Sequence, residues 1–236
     1  MKTFLKPFEE MPQIEELREH LKKDKRIYEV SGLIDSLKPH LIYGIGYDVP
    51  IKLIVTFDEM RAKQIYEGYQ FFDENTLYYP ARDLLFYQSD IHSNALTRER
   101  LSVVQAVIEH RPVTVVTTMD ALMNRVPPLF SYERGIFTID LEETVDLDEM
   151  RKKLVMLGYE NVTQVEHPGE FAVRGGIVDI FPLTEEHPIR MELWGDEIDS
   201  LRYFDVATQK SIDSVEHVTV YPAMELVLTP DSSRPV

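Results

Sequence analysis

The sequence predicts an α/β protein in two parts: a three-layer α/β domain over residues 1–125, then a small α+β domain with an antiparallel sheet over 126–212. Three observations predict this. Strand-like apolar runs alternate with helical patterns up to about residue 125, as in sheets covered by helices. The adjacent Pro127 and Pro128 then interrupt the chain, because neither a helix nor a central strand continues through two prolines. Beyond them, four strand-like runs follow one another closely.

Each element has a local reason. Ile14, Leu17 and Leu21 form one helical stripe over 13–24. Leu41 to Gly46 reads as a strand, followed by a turn and a second strand at Ile51 to Thr56. Thr56, with Glu59 three residues on, reads as a capping box for a helix to about Tyr69. Thr76 to Tyr79 is a short strand stopped by Pro80, and 81–96 read as loop. A helix is expected from Thr97 to His110, burying Leu101, Val104, Val107 and Ile108; Val113 to Thr117 reads as a buried strand. In the second part Gly135 to Leu141 is a strand, and Asp146 caps a helix that ends at Gly158. The four strands are Glu170 to Arg174, Ile177 to Phe181, Ile189 to Trp194 and Ile198 to Phe204. Val215 to Leu228 reads as a further strand and connector, and Asp231 to Val236 as a tail.

Composition narrows the function. Hydrophobic residues at 44% and charged residues at 28% fit a globular chain. A formal charge of −16 argues against a nucleic-acid surface covering most of it, since phosphate neutralisation needs clustered Lys and Arg. Cysteine is absent, which excludes disulfides, thiolate metal sites and a cysteine nucleophile. The first seven residues lack the apolar core of a signal peptide, and no run approaches the ~20 residues that span a bilayer. A cytoplasmic location with no membrane partner is expected.

Chemical motifs are few. Leu41-Ile42-Tyr43-Gly44-Ile45-Gly46 leads into glycines, yet no Gly-Lys-Ser/Thr follows and Asp48 would repel a phosphate. Only four residues separate Gly46 from Ile51, too few for a crossover helix, so the segment reads as a turn and not a nucleotide loop. The seven histidines show no metal-ligand spacing, and the acidic run Asp140 to Glu149 lacks the glycine of a calcium loop. The strongest local signal is Gly169 to Pro182, two strands around Gly175-Gly176. Its charged positions Glu170, Arg174 and Asp179 alternate with apolar ones, which places them on a wet face or rim. Arginine and aromatic residues on such a face suit a protein interface. Arg190 and Trp194 have the parity to share or bracket a face; Trp194 is either a core anchor or an interface aromatic.

The runs Gly169 to Pro182, Pro188 to Arg202, Phe204-Asp205 and Thr208 to Ser211 closely resemble the second domain shared by UvrB and the bacterial transcription-repair coupling factors (Mfd). Leu77 to Pro80, the Arg98 to Ile108 helix and Val115 to Leu122 resemble the same proteins in the same order. UvrB carries a Walker A motif in its first domain; this chain lacks one and so resembles the N-terminal UvrB-like module of the coupling factors. The resemblance implies a degenerate P-loop-helicase-like first domain without a nucleotide site. It implies a UvrA-binding second domain at 126–212, and a segment at 213–236 that re-enters an incomplete, marginally stable first domain. It implies a non-catalytic adaptor that recruits UvrA to RNA polymerase stalled at DNA lesions. No cofactor or metal is implied within these residues; ATP and Mg, and the contacts with RNA polymerase and DNA, belong to further domains of that family. The interface positions carry over onto Arg174, Arg190 and Trp194, the last usually phenylalanine in relatives. Glu170, Asp179 and Glu192 join them by proximity. The rival reading is a UvrB-like ATPase or helicase fragment gripping damaged DNA, which the 41–57 segment and the charge oppose.

Overall fold

The computed structural model describes residues 5–23, 26–82 and 90–225. By internal contacts, Met1–Arg82 with Glu109–Asn124 form one compact unit, and Asp83–Ile108 with Arg125–Val236 form another.

The first unit begins with helices α1 (Lys6–Glu9) and α2 (Pro12–Lys23), then, after a 3₁₀ turn at Asp35–Leu37, helix α3 (Lys38–Gly46). The half-buried stripe on α2 is Ile14 and Leu17; Leu21 is exposed. Leu41 to Gly46 is therefore helix, where a strand was expected. Pro39 in the first turn pre-sets the helical backbone, and Tyr43 packs between Tyr69 and Phe72. Strand β1 (Ile51–Thr56), helix α4 (Glu59–Gln70) and strand β2 (Thr76–Tyr79) follow. The cap of α4 is Asp58, whose carboxylate accepts from the Arg61 amide at 2.7 Å, and not Thr56, whose hydroxyl donates to the Asp58 carbonyl. An aspartate next to the helix reaches its open amides more directly than a residue two positions earlier.

Helix α5 (Asp90–Ile108) starts earlier than the expected Thr97 and belongs to the second unit. Its N-terminal side chains and the preceding residues 83–89 lie outside what is described. Leu101 and Val104 enter the second unit's core, while Val103 and Ala106 are buried as well and Val107 and Ile108 only partly. Strand β3 (Val113–Thr118) and helix α6 (Met119–Met123) complete the first unit. Its sheet is parallel throughout, in the order β1-β3-β2. Ile54, Val116 and Tyr78 pack one face against Ala62, Ile65 and Tyr69 of α4.

The second unit continues with helix α7 (Leu129–Glu133), strand β4 (Phe137–Asp140) and helix α8 (Leu147–Met156). Asp146 caps α8 by accepting from the amides of Asp148 and Glu149. Gly158, at φ +90°, ends it. The amides of Gly158 and Tyr159 reach back to the carbonyls of Val155 and Leu154, the left-handed stop that glycine makes without strain. Then come β5 (Glu160–Asn161), β6 (Glu170–Arg174), β7 (Ile177–Ile180), β8 (Ile189–Trp194), β9 (Glu197–Phe204), β10 (Ser211–Ser214) and β11 (His217–Val220).

A six-stranded sheet runs β10-β9-β8-β7-β6-β5, antiparallel except for the β5–β6 pair at one edge. Phe171, Val178, Ile180, Ile189, Met191, Ile198 and Leu201 point into one core with Met150, Leu154 and Leu157. Ile198 and Leu201 are three apart and would face opposite sides of a regular strand. A register shift in the β8–β9 pairing lets both face the core. Strand β11 pairs with β4, within the second unit. Val218 and Val220 account for this by burying themselves beside Ile139. Asp231 to Val236 lies outside the described residues.

Candidate functional site

Alternation along β6 to β9 sends one set of side chains to the core and the other to the opposite face. That second face carries Glu170, Ala172 and Arg174 from β6; Ile177 and Asp179 from β7; Arg190, Glu192 and Trp194 from β8; and Ser200, Arg202 and Phe204 from β9. Registers place Ala172, Asp179, Arg190 and Arg202 in one cross-strand row, and Arg174, Ile177, Glu192 and Ser200 in the next. The Gly175-Gly176 turn joins the first two strands, with φ +60° at Gly175, the first of its two central residues.

Asp179 is the hub. It is 1% exposed, not wet as its alternation suggested, and two arginines bind it. Arg174 donates from Nη2 to Oδ2 at 2.6 Å. Arg190 donates from Nε to Oδ1 at 2.7 Å and from Nη2 to Oδ2 at 2.9 Å. Two cations and three hydrogen bonds offset the desolvation of one carboxylate. The Arg190 guanidinium also lies 4.1 Å above the Phe204 ring and donates to Gln209 Oε1 at 2.8 Å. Its hydrogen bond to Asp179 holds its pKa above the ordinary arginine value despite partial burial.

The two arginines therefore differ. The Arg190 side chain is 13% exposed and engaged on three sides; that of Arg174 is 43% exposed and makes one hydrogen bond among the described residues. Directly opposite Arg190 stands Arg202, a like-charge pair that would repel. Glu192 compensates by pairing with Arg202 and accepting from Ser200 Oγ at 3.0 Å.

Trp194, at the end of β8, is 84% exposed, which excludes the core-anchor alternative. Glu170 is not drawn into the cluster: its carboxylate accepts from the amides of Glu166 and His167 and fixes the loop before β6. Of the six expected site residues, the fold thus joins Arg174, Asp179 and Arg190, ties Glu192 to a neighbouring pair, sets Trp194 on the same face and diverts Glu170. Sequence reasoning missed Arg202, Phe204 and Gln209. A plain two-residue turn at Gly195-Asp196 would set Arg190 opposite Leu201; the three-residue spacing of Ile198 and Leu201 was the signal that the register shifts.

Among the described residues, no His, Cys, Asp and Glu cluster could hold a metal ion, and no helix is long and apolar enough to cross a membrane.

The family model of the UvrB interaction domain matches residues 137–226, the segment that contains this face. Over 218 residues the chain is 30% identical to the transcription-repair-coupling factor of Bacillus subtilis (strain 168), covering 86% of this chain and 18% of that protein. It is 37% identical over 166 residues to that of Staphylococcus aureus (strain Mu50 / ATCC 700699), covering 70% and 14%. It is 31% identical over 229 residues to that of Staphylococcus haemolyticus (strain JCSC1435), covering 91% and 20%. The chain spans a fifth or less of the length of each of these relatives. Residues 137–226 are thus similar to the UvrB interaction domain, within a chain similar to one part of the transcription-repair-coupling factors.

Proposed function

We propose that this chain is a non-catalytic adaptor segment of a transcription-repair coupling factor, and that the arginine face of its second unit docks UvrA. In that role it recruits UvrA in the cytoplasm to RNA polymerase stalled at a DNA lesion, for nucleotide excision repair. Contacts with polymerase and DNA, and ATP-driven translocation, belong to parts of the longer protein outside this chain. The first unit is then a degenerate helicase-like domain with no nucleotide site, and the docking domain covers about residues 126–212.

One observation carries this reading: on a sheet face, the uncommitted N–H groups of Arg174 and the exposed ring of Trp194 stand on a scaffold locked by Asp179 and Arg190. Arginine and tryptophan are the side chains that dominate interface energetics, and a pre-ordered scaffold limits the entropy lost on docking. A surface of about 800 Å² per partner, the ordinary size for a specific complex, would take in this face.

The test is titration calorimetry of the protein with purified UvrA, alongside Arg174→Ala and Trp194→Ala. These two sites leave the buried Asp179–Arg190 pair intact, so folding is preserved. Binding by the parent, with a loss of about 2 kcal/mol or more in Trp194→Ala, supports the reading. A folded parent that does not bind UvrA overturns it.

A further inference from the structure

We infer that Gln209 is a positioning residue: it locks the Arg190 guanidinium in the plane that clasps Asp179, and thereby orders the docking face. The inference rests on the reading of that face as a partner surface.

Gln209 lies in the loop between β9 and β10 and has φ +58°, a left-handed conformation uncommon for a residue with a side chain. The loop is built to hold it there. The Asp205 carboxylate accepts from the Thr208 amide at 2.7 Å and from the Thr208 hydroxyl at 2.6 Å. The Gln209 amide donates to the Asp205 carbonyl, and the Asp205 amide to the Lys210 carbonyl. The side-chain amide is then used at both ends. Its Nε2 donates to the Val206 carbonyl at 2.8 Å, which leaves Oε1 aimed at Arg190 Nη2, also at 2.8 Å.

This contact does what Asp179 alone does not. Asp179 takes the Nε and Nη2 edge of Arg190, and Phe204 supports the plane from below. Gln209 accepts the second proton of Nη2, so rotation about the Nε–Cζ bond would break two hydrogen bonds on the same nitrogen. With Arg190 fixed, Asp179 stays shared, and Arg174 is held by Oδ2 with its other donors outward. A glycine would suit the backbone of this position better than glutamine and could not make the contact.

The experiment compares Gln209→Gly, which suits the left-handed backbone and removes the acceptor, with Gln209→Glu, which keeps an acceptor oxygen. The readouts are rotation of the Arg190 guanidinium by ¹⁵N NMR line shape, the melting temperature, and UvrA binding. In Gln209→Gly, rotation quickens about tenfold and UvrA affinity falls by a similar factor, as for loss of one charged hydrogen bond, while a cooperative melt is retained; Gln209→Glu keeps slow rotation. Unchanged Arg190 rotation in Gln209→Gly overturns the inference. If the parent does not bind UvrA, the docking reading fails, and the rotation measurement still decides the role of Gln209.

Discussion

In the first unit a parallel sheet turns Ile51, Leu53 and Val55 of its edge strand toward solvent; in the second, the antiparallel sheet turns out arginines, carboxylates and one tryptophan. The difference lies in how each architecture treats an uncovered face. Parallel strands are ordinarily covered on both sides and so are apolar on both sides. Among the described residues of the first unit the row on β1 has no such cover, and Phe57 and Met60 extend the exposed apolar surface beyond it. An antiparallel sheet is stable with one wet face, provided its polar groups are satisfied. The second unit meets that condition through the Asp179 and Glu192 ion pairs, beside which Trp194 stands as an exposed apolar group.

The comparison predicts two separable cores. Phe171→Ala should cost about 3–5 kcal/mol and Ile54→Ala about 2 kcal/mol, each confined to its own unit. Hydrogen exchange followed residue by residue checks this; protection lost equally in both units would break the distinction. A thermal melt sharpens it, with the first unit expected to unfold at the lower temperature.

Within the proposed docking face the contrast is between its two arginines. Arg190→Ala leaves a buried carboxylate with one partner and should destabilise by about 3–5 kcal/mol. Arg174→Ala removes a half-exposed partner and should stay within about 1 kcal/mol. Chemical denaturation of both variants measures the difference, and equal losses would erase the division between scaffold and contact.

A smaller effect separates two glycines, one in each unit. At Gly158 a Cβ would lie 2.8 Å from the Met224 Cβ, on a backbone already left-handed. Gly158→Ala should therefore cost at least about 1–2 kcal/mol. At Gly46 a Cβ would meet only the flexible Lys52 side chain at 3.3 Å, and Gly46→Ala should change stability by less than about 0.5 kcal/mol. Urea midpoints decide the pair.

The smallest effect is of pH. Hydrogen bonds from the Thr208 hydroxyl and amide hold the Asp205 pKa below the ordinary aspartate value. A depressed folded pKa stabilises at pH above the unfolded value, and that contribution is lost as pH falls through the folded one. The Thr208 amide resonance should therefore titrate below the ordinary aspartate range, the Arg190 contact with Gln209 loosening with it. A Thr208 titration at or above the ordinary aspartate pKa would show that the loop is not held in this way.

Much of the second unit was legible because its signals are local. Alternation marked β6 to β9, Gly175-Gly176 marked their hairpin, and Asp146 and Gly158 marked both ends of α8. The first unit was harder. Leu41 to Gly46 is a short apolar run without usable periodicity, and Pro39 at its start with packing against Tyr69 and Phe72 makes it helix. The polar residues at the start of α5 carry no apolar periodicity and read as loop, although the backbone is one continuous helix from Asp90 to Ile108.

The sequence by itself determined which side chains could form the face: Arg174, Asp179, Arg190, Glu192 and Trp194 follow from alternation, a property of the single strand. Tertiary structure alone decided how they divide the work. Which carboxylate pairs with which arginine depends on register, and a one-residue shift between β8 and β9 replaces Leu201 with Arg202 opposite Arg190. That shift is set by burial of Ile198 and Leu201 in the shared core. The pairing of charges on one face of the sheet is thus fixed by the packing of apolar groups on the other.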